Sequence, residues 1–372
     1  MGVCLADPHD IIAQLAQPEG VEQISPAWLT AALREGGAIK NSNVVRVEKV
    51  EFHHLPSYFS TIAKLKVEYD GHEPHAPATL IVKTKHENAA QRAYGRQFGV
   101  FLREIRFYRE IAQSAKDINL PICYFSWLDD PTGDGMILLE DLSYLECGDQ
   151  LAGLSYQHVA ATTEMIGRFH ALWWDSPKLD QLSWAPLDSY TIADQYGAHW
   201  PKFVHLYDSH LSQNSLRIGE AVSTRMHSIL NRAKSRPHTL VHCDLRADNL
   251  LLDPADPLAT VILDWQLIGR GLATFDLVRL ICESIELGAD AHKKLVTDWH
   301  ATILDRGVQN YSFEDAWSDY ELALALALYI PVINASVLAR TSDRATRLID
   351  TMVQRYFHCA EMLQLDKFLE RI

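Results

Sequence analysis

The sequence has few cysteines and fewer basic than acidic residues, and both shortages narrow its possible functions. The six cysteines show no Cys-x-x-Cys spacing, which argues against a disulfide framework and against a zinc site. Lysine and arginine number 34 against 48 acidic residues, and the formal net charge is -14. A nucleic-acid-binding protein is expected to carry a basic surface, so this class is not favoured. The cysteines are Cys4, Cys123, Cys147, Cys243, Cys282 and Cys359.

Targeting and membrane signals are also lacking. No basic segment followed by an apolar core occurs near residue 1, so we expect no signal peptide, and the unpaired cysteines favour a reducing, cytoplasmic location. The most apolar run, residues 322–339, is nearly long enough to span a membrane, but Pro331, Asn334 and Ser336 interrupt it. Its alanines and leucines favour helix. We therefore predict a buried helix of a C-terminal lobe.

Polar side chains between short apolar segments mark residues 239–266. Asn249 follows Asp244 by five positions, and Asp264 follows fifteen positions later, after the apolar segment 260–263. Phosphoryl transfer from ATP needs a carboxylate that accepts the proton of the acceptor hydroxyl. It also needs an amide oxygen and a second carboxylate that hold Mg²⁺ on the phosphates. The pattern predicts Asp244 as the base, with Asn249 and Asp264 as metal ligands.

This segment resembles the catalytic loop and metal-binding aspartate of the protein-kinase-like superfamily. It is most similar to the small-molecule branch: the aminoglycoside phosphotransferases, the choline kinase relatives and the ecdysteroid-kinase-like family. Cys243 stands where that branch usually has glycine. The residues that carry the resemblance are His242, Asp244, Asn249, Asp264, Trp265 and Gln266.

The resemblance implies an α+β, two-lobed fold. Residues 1–139 would form a nucleotide-binding lobe on a small antiparallel sheet, and residues 140–372 a mainly helical lobe for catalysis and acceptor binding. Period-two alternation predicts strands 44–52 and 61–69, joined as a hairpin. Ser25 and Pro26 predict the start of a helix that ends at Gly36 and braces the small lobe.

In such a lobe, Lys83, at the end of the predicted strand 79–84, would meet the α- and β-phosphates of ATP. Glu104, on a helix predicted over 89–112, would pair with it. Glu110 is the competitor for that role, with Arg103 and Arg106 as its surface partners. Taken without the downstream motifs, Lys83 is an exposed lysine at a strand end.

Two further segments would contact the nucleotide. Residues 53–60 occupy the place of the phosphate-covering loop but contain no glycine, so Ser57, Ser60 and Thr61 would have to approach the phosphates. Residues 136–142 form an apolar strand that ends at two acids and looks like the hinge between lobes. There the backbone of Glu140 and Leu142 would meet a purine edge.

Several residues have two interpretations. Arg246 stands where protein kinases carry a phosphate-contacting lysine, and it either stabilises the transferring group or is a surface side chain. Asp276 could cap the helix after the loop 269–273 or, as in the family, support the catalytic loop. His242 and His170 are expected to be structural. The aromatic residues between 184 and 207 belong to the core or to an acceptor pocket.

The function that fits best is an ATP- and Mg²⁺-dependent kinase of a small, partly apolar alcohol. An aminoglycoside-type phosphotransferase is an alternative within the same family. The missing glycines also allow a nucleotide-binding pseudokinase scaffold. A metal hydrolase has no support, because no His-Glu-x-x-His or comparable spacing is present.

Overall fold

The structure is a computed structural model that describes residues 16–52, 57–338 and 342–372. The chain forms two compact units. The first contains residues up to 114 together with 120–145, and the second contains 115–119 together with 146–372. The first unit has a five-stranded antiparallel sheet and the second is mainly helical. The predicted α+β class is thereby confirmed.

The sheet of the first unit has the strand order β1-β2-β3-β5-β4. The predicted hairpin is β1 paired with β2, and the buried side chains of β2 are Ala63, Leu65 and Val67, as the alternation predicts. The strands are β1 (Val44–Val50), β2 (Ser60–Tyr69), β3 (Thr79–Lys85), β4 (Cys123–Asp129) and β5 (Asp134–Glu140).

Helix α1 (Pro26–Glu35) packs on β1 and β4. The Ser25 hydroxyl accepts a hydrogen bond from the Trp28 amide at 3.2 Å, which satisfies one of the free amides at the helix start. Trp28 and Leu29 are buried in the core of this unit with the apolar face of the sheet. The predicted bracing helix is therefore present.

The single helix predicted over 89–112 is wrong. Helix α2 (Ala89–Phe98) ends at Gly99, whose φ of 62° lies in the left-handed region that favours glycine, and a separate helix, α3 (Val100–Arg106), follows. A π-helical turn (Phe107–Ile111) follows. Arg106 pairs with Glu110 at 2.6 Å on the surface, but Arg103 is buried and is not a surface partner.

The second unit surrounds short strands with helices. Strands β6, β8 and β9 form one antiparallel sheet, and β7 pairs with β10. The strands are β6 (Glu146–Cys147), β7 (Thr239–Val241), β8 (Leu250–Leu252), β9 (Val261–Ile262) and β10 (Gly269–Gly271). The helices are α4 (Tyr156–Leu172), α5 (Asp188–Ala193), α6 (Tyr196–Tyr207), α7 (Gln213–Lys234), α8 (Thr274–Ser284), α9 (Ala289–Asp305), α10 (Phe313–Ala327), α11 (Tyr329–Val337), α12 (Asp343–Met362) and α13 (Leu365–Leu369).

The sequence predicts a loop over 269–273, whereas the structure has strand β10 there. Gly269 allows this strand to lie close to other backbone: a Cβ atom there would stand 2.7 Å from the Pro186 carbonyl oxygen. Glycine has a low strand propensity, so the sequence of this segment does not predict a strand.

The apolar run is part of two consecutive helices, α10 and α11. Among the described residues, 313–337 is the stretch long and apolar enough to cross a membrane by length and composition. However, 78% of its most apolar window is buried inside the protein, as expected for a core helix. Pro331 lies in the first turn of α11, where proline is tolerated. Residue 339 of the predicted helix lies outside the described residues.

Candidate active site

The hairpin formed by β8 and β9 places Asn249 and Asp264 at one of its ends. Leu250 pairs with Ile262, and the Leu263 amide donates to the Asn249 carbonyl oxygen at 2.9 Å. Asp264 follows at once, with φ of 63°. Aspartate and asparagine adopt this left-handed conformation more readily than most residues. The structure thus brings together the two residues that the sequence separates by fifteen positions.

Asp276 supports the loop between β7 and β8. Its carboxylate accepts hydrogen bonds from the amides of His242 at 2.7 Å and Cys243 at 2.9 Å, and lies 3.1 Å from Nε2 of His170. It lies inside α8 and does not cap it, because the residue before this helix is Ala273. The capping interpretation is therefore wrong. His242 is buried, and its Nε2 atom lies 2.8 Å from the Leu263 carbonyl oxygen, which indicates a structural role.

Cys243 occupies a backbone position that favours glycine. Its φ is 65°, in the left-handed region where a side chain costs about 1–2 kcal/mol. The two Asp276 hydrogen bonds to this part of the loop hold the conformation. Glycine would adopt this φ without steric cost, whereas cysteine keeps the same backbone path at the expense of local strain.

Asp244 is a buried carboxylate held by two guanidinium groups. Arg279 on α8 forms an ion pair with its Oδ1 atom, and Nε of Arg246 lies 3.2 Å from the same atom. The side-chain amide of Asn249 donates to Oδ2 at 2.9 Å and to the Asp244 carbonyl oxygen at 2.8 Å. Burial raises the pKa of Asp244, but the charges of Arg246 and Arg279 outweigh burial and keep the pKa below its ordinary value. Asp244 is therefore ionised at neutral pH.

A second buried carboxylate, Glu283, holds Arg279 from the other side. Its Oε1 atom lies 3.0 Å from Nη1 of Arg279 and accepts a hydrogen bond from the Tyr356 hydroxyl at 2.8 Å. The Gln150 amide donates to Oε2 at 3.0 Å. Burial raises the pKa of Glu283 above its ordinary value, although Arg279 and Arg246 lower it in part. We call Asp244, Arg246, Arg279 and Glu283 the buried charge cluster.

Sequence reasoning missed Arg279 and Glu283. One signal was available: the two residues are four positions apart on the helix that follows the motif, the spacing of an ion pair on one helical face. A charged pair at this spacing in a mostly apolar helix, after the predicted metal ligand Asp264, is the feature that could have found them. The contact with Asp244 requires the tertiary structure.

Arg246 is not an exposed surface side chain. Its Nη1 atom donates to Asp248 at 2.7 Å and to Gln150 at 2.9 Å, while Nε faces Asp244. Its side chain is 23% exposed. The surface interpretation is therefore wrong, and a contact with the transferring phosphoryl group stays a prediction.

The residues at the end of the hairpin fit a magnesium ion. Because the Asn249 amide nitrogen is used on Asp244, its oxygen is the atom available as a ligand, and Asp264 adds a carboxylate. Gln266 donates to Oδ2 of Asp264 at 2.7 Å and orients it. The part of the chain that the structure describes contains no group of three or more histidine, cysteine or acidic residues suited to a metal. Two protein oxygens suit Mg²⁺, which takes further ligands from water and phosphate.

In the first unit, Lys83 and Glu104 form a buried ion pair. The Nζ atom of Lys83 lies 2.6 Å from Oε2 of Glu104, and both side chains are at most 7% exposed. Lys83 is thus not the exposed strand-end lysine of the alternative interpretation, because β3 continues to Lys85. Glu110 pairs with Arg106 instead. This arrangement presents a fixed ammonium group from the centre of the sheet.

The described part of the glycine-free loop is anchored by its own side chains. The hydroxyls of Ser57 and Ser60 lie 2.7 Å apart, and the Ser60 amide donates to Ser57 at 3.3 Å. The ring of Phe59 stacks on Tyr94 of α2 and contacts Phe98. Ser60 is buried, so a phosphate contact from it stays a prediction, as does one from Thr61. Residues 53–56 of the predicted loop lie outside the described residues.

The predicted hinge segment is held through its acidic side chains. The amide of Glu140 donates to the Ile122 carbonyl oxygen at 2.8 Å, and its carboxylate accepts from the Ile122 amide at 3.1 Å. Asp141 pairs with Lys64 at 2.8 Å and accepts a hydrogen bond from Thr79 at 2.6 Å. The carboxylates of Glu140 and Asp141 are therefore engaged within the protein and are not needed to contact a purine base. Leu142 is buried.

The aromatic residues of α6 form core and not an open pocket. Tyr196, Trp200, Phe203 and Tyr207 stack on one another in sequence, and Phe357 of α12 stacks on two of them. All are at most 5% exposed. These residues therefore give no support to a partly apolar acceptor.

Comparisons with known proteins place these features in a family. Residues 55–305, more than half of the chain, match the model of the ecdysteroid kinase-like family. A comparison with curated proteins found no significant match. Among solved structures, a protein assigned as an aminoglycoside phosphotransferase from Ralstonia eutropha JMP134 is similar over 90% of this chain and 97% of its own, with 17% identity and a TM-score of 0.51.

A choline kinase from Cryptosporidium parvum Iowa II is similar over 87% of this chain and 89% of its own, with 12% identity and a TM-score of 0.50. At such low identities these two structures bear on the fold alone. They show that the fold is that of the protein-kinase-like small-molecule kinases. With the family match, we conclude that the chain belongs to the ecdysteroid kinase-like family of kinase-like phosphotransferases.

Proposed function

We propose that the protein transfers the γ-phosphate of ATP to a hydroxyl group of a small, uncharged alcohol. One observation carries the proposal: Asp244 is a buried carboxylate, kept ionised by Arg246 and Arg279 and oriented by Asn249. A kinase needs an ionised carboxylate at this place to orient the acceptor hydroxyl and finally accept its proton. A carboxylate that served only to stabilise the fold would not need a neighbouring pair of metal-type ligands.

The residues of the second unit would have separate roles in phosphoryl transfer. Asp244 holds the acceptor oxygen and takes its proton, and Arg246 stabilises the charge on the transferring phosphoryl group. Asn249 and Asp264 would hold Mg²⁺, which when bound neutralises charge on the phosphate oxygens. Arg279 is a positioning residue, because it acts on the substrate only through Asp244.

The residues of the first unit would bind the nucleotide. Lys83, fixed by Glu104, would contact the α- and β-phosphates, and the Ser60 segment would cover them. The Glu140 amide is used within the sheet, so the purine edge would meet the Glu140 carbonyl oxygen and the Leu142 amide. The side chains of these two residues would not contact the base.

The buried charge cluster favours an uncharged acceptor over a cationic one. Both guanidinium groups already face the carboxylate that a cationic acceptor would need as its counter-ion. An ammonium group brought near Asp244 would be repelled by Arg246 and Arg279, and like charges in a buried site cost several kcal/mol. The cluster thus favours a neutral alcohol over an aminoglycoside.

An ADP-release screen tests the proposal. The protein is incubated with Mg·ATP and a panel of neutral alcohols, sterols and sugars beside amino alcohols and aminoglycosides. We expect turnover with a neutral alcohol, and Asp244→Asn should abolish it. Asp180→Asn, a matched change at a side chain that is 89% exposed, should keep it. Binding of Mg·ATP without turnover on any member would support a pseudokinase, and selective phosphorylation of aminoglycosides would contradict the acceptor class.

A further inference from the structure

Two cysteines lie together where α8 packs against α12. Cys282 on α8 is fully buried, and Cys359 on α12 is 5% exposed. Their side chains interact with each other, and Nε2 of His292 lies 3.9 Å from Sγ of Cys359. Both cysteines are free thiols. The proposed phosphoryl transfer uses neither of them, so their proximity calls for another explanation.

One of the two cysteines, Cys359, lines a cavity of about 250 Å³. Its volume corresponds to several water molecules, so a small oxidant can enter it. Cys359 contributes to the wall, whereas Cys282 does not, so an oxidant would meet Cys359 first. The lining residues are Ile285, Glu286, Leu287, Gln354, Arg355, His358 and Cys359.

The surroundings favour the thiolate form of Cys359. The hydrogen bond from Cys282 lowers the pKa of Cys359; burial opposes it, and His292 and His358 lower the pKa further. Burial raises the pKa of Cys282 well above its ordinary value. The thiolate is the form that reacts with oxidants, and redox-sensitive cysteines commonly have a second thiol within reach.

We propose that Cys359 and Cys282 form a dithiol that a hydroperoxide oxidises to a disulfide between α8 and α12. In the first step the sulfur of Cys359 attacks one oxygen of the hydroperoxide and the O–O bond breaks. Cys359 becomes a sulfenic acid, and the other oxygen leaves with a proton as water or an alcohol. In the second step the sulfur of Cys282 attacks the sulfenic sulfur, and hydroxide leaves with the Cys282 proton as water. Two thiols are oxidised and one hydroperoxide is reduced.

The disulfide would reach the buried charge cluster through Glu283. Cys282 directly precedes Glu283, and Tyr356 and Arg355 of α12 bind the side chain and the carbonyl oxygen of Glu283 at 2.8 and 2.9 Å. A covalent link between the helices changes their spacing beside these contacts, and displacements of about 1 Å are enough to lower catalytic rates. This consequence rests on the proposed function, whereas the disulfide itself does not.

Peptide mapping of the full chain by mass spectrometry, without reducing agent, tests the dithiol directly. After treatment with hydrogen peroxide we expect one pair of peptides joined through Cys282 and Cys359, two hydrogen atoms lighter than the separate thiol peptides. Dithiothreitol should release them. Sulfenic acid trapped at Cys359 without a link to Cys282, or no oxidation of either cysteine, would overturn the proposal.

Variants and an activity assay complete the test. Cys359→Ser should abolish the joined peptides, whereas Cys147→Ser, a matched change at an exposed cysteine, should leave them unchanged. If the proposed function holds, oxidation should lower ADP release at least about tenfold, reversibly, in the unaltered protein and not in Cys359→Ser. A disulfide that leaves ADP release unchanged would support the dithiol and contradict its coupling to Asp244. Absence of ADP release before oxidation would bear on the proposed function alone.

Discussion

Arg279 and Asp244 form a buried ion pair although 35 positions separate them in the chain. The pair ties the loop after β7 to the middle of α8, and Glu283 holds the same guanidinium group at 3.0 Å. Removal of one member of a buried ion pair leaves its partners desolvated and without compensation. The arginine therefore contributes both to the position of the carboxylate and to the stability of the second unit.

We expect Arg279→Met to lower the free energy of unfolding by about 3–5 kcal/mol, because it leaves Asp244 and Glu283 buried without this charge. Urea denaturation followed by circular dichroism measures the change. The control is Arg306→Met, which removes a 40% exposed arginine paired with Asp117 and should change the free energy of unfolding much less than Arg279→Met does. Equal, small effects of both changes would mean that the Arg279 pair is not buried in solution.

Lys83→Met should weaken nucleotide binding. The loss of a charge-assisted contact to phosphate costs about 1.5–3 kcal/mol, which corresponds to a roughly ten- to hundredfold higher Kd for Mg·ATP. Isothermal titration calorimetry gives the value. Lys66→Met, on the exposed side of the neighbouring strand β2, is the matched control and should leave the Kd within twofold. An unchanged Kd for both variants would remove Lys83 from the nucleotide site.

The sequence was informative where local spacing decides the structure. Neighbours along the chain determine the alternation in β2 and the cap at Ser25, so the sequence predicts both. The spacing of Asp244, Asn249 and Asp264 is also a local feature of the sequence. The contacts of Arg279 with Asp244 and of Glu283 with Tyr356 could not be predicted, since they join segments that are far apart in the chain.

The errors also have physical causes. The prediction of one helix over 89–112 includes Gly99 as an interior residue, although glycine often ends a helix in the left-handed conformation. The aromatic residues of α6 fit a core as well as a pocket by their spacing, and their stacking on Phe357 of α12 decides for the core. The two arginines beside Asp244, not the aromatic residues, carry the argument about the acceptor.

Cys243→Gly should raise the free energy of unfolding by up to about 1 kcal/mol, because glycine adopts a positive φ without steric cost. Thermal and urea denaturation measure the difference. Cys243→Ala removes the thiol but keeps the Cβ atom, so it should not give this gain. A stabilisation by alanine equal to that by glycine would place the strain in the thiol and not in the backbone.

The ion pair of Asp141 makes a pH-dependent contribution to the stability of the first unit. Burial raises the pKa of Asp141, but hydrogen bonds from Lys64 and Thr79 outweigh it and lower the pKa to about 2. Because the folded pKa lies below the unfolded one, this stabilisation is present above about pH 4 and is lost as the pH falls toward 2.

Asp141→Asn should therefore lower the free energy of unfolding by about 1–2 kcal/mol at pH 7. The difference from the unaltered protein should shrink as the pH falls from 4 toward 2. Urea denaturation over this pH range gives both values, with the exposed Asp180→Asn as control. A difference that stays constant down to pH 2 would show that the charge of Asp141 is not responsible.

In the proposed mechanism Asp244 serves the acceptor, while Asp264 serves the metal–nucleotide complex. A metal ligand acts whenever nucleotide is bound, whereas a base matters mainly when a hydroxyl is phosphorylated. Both changes to asparagine keep the shape of the side chain, and asparagine tolerates the positive φ of Asp264. The two variants therefore differ in the carboxylate charge that is lost, while the backbone conformation should be the same in both.

The most direct measurement compares Asp244→Asn and Asp264→Asn by calorimetry with Mg·ATP and by ADP release with the acceptor found in the screen. We predict that Asp244→Asn keeps the Kd within a few-fold and lowers turnover by roughly 10²-fold or more, the scale of a lost general base. Asp264→Asn should weaken Mg·ATP binding as well as turnover. Loss of nucleotide binding in Asp244→Asn with normal binding in Asp264→Asn would reverse the assigned roles, and full activity of both would contradict the catalytic site.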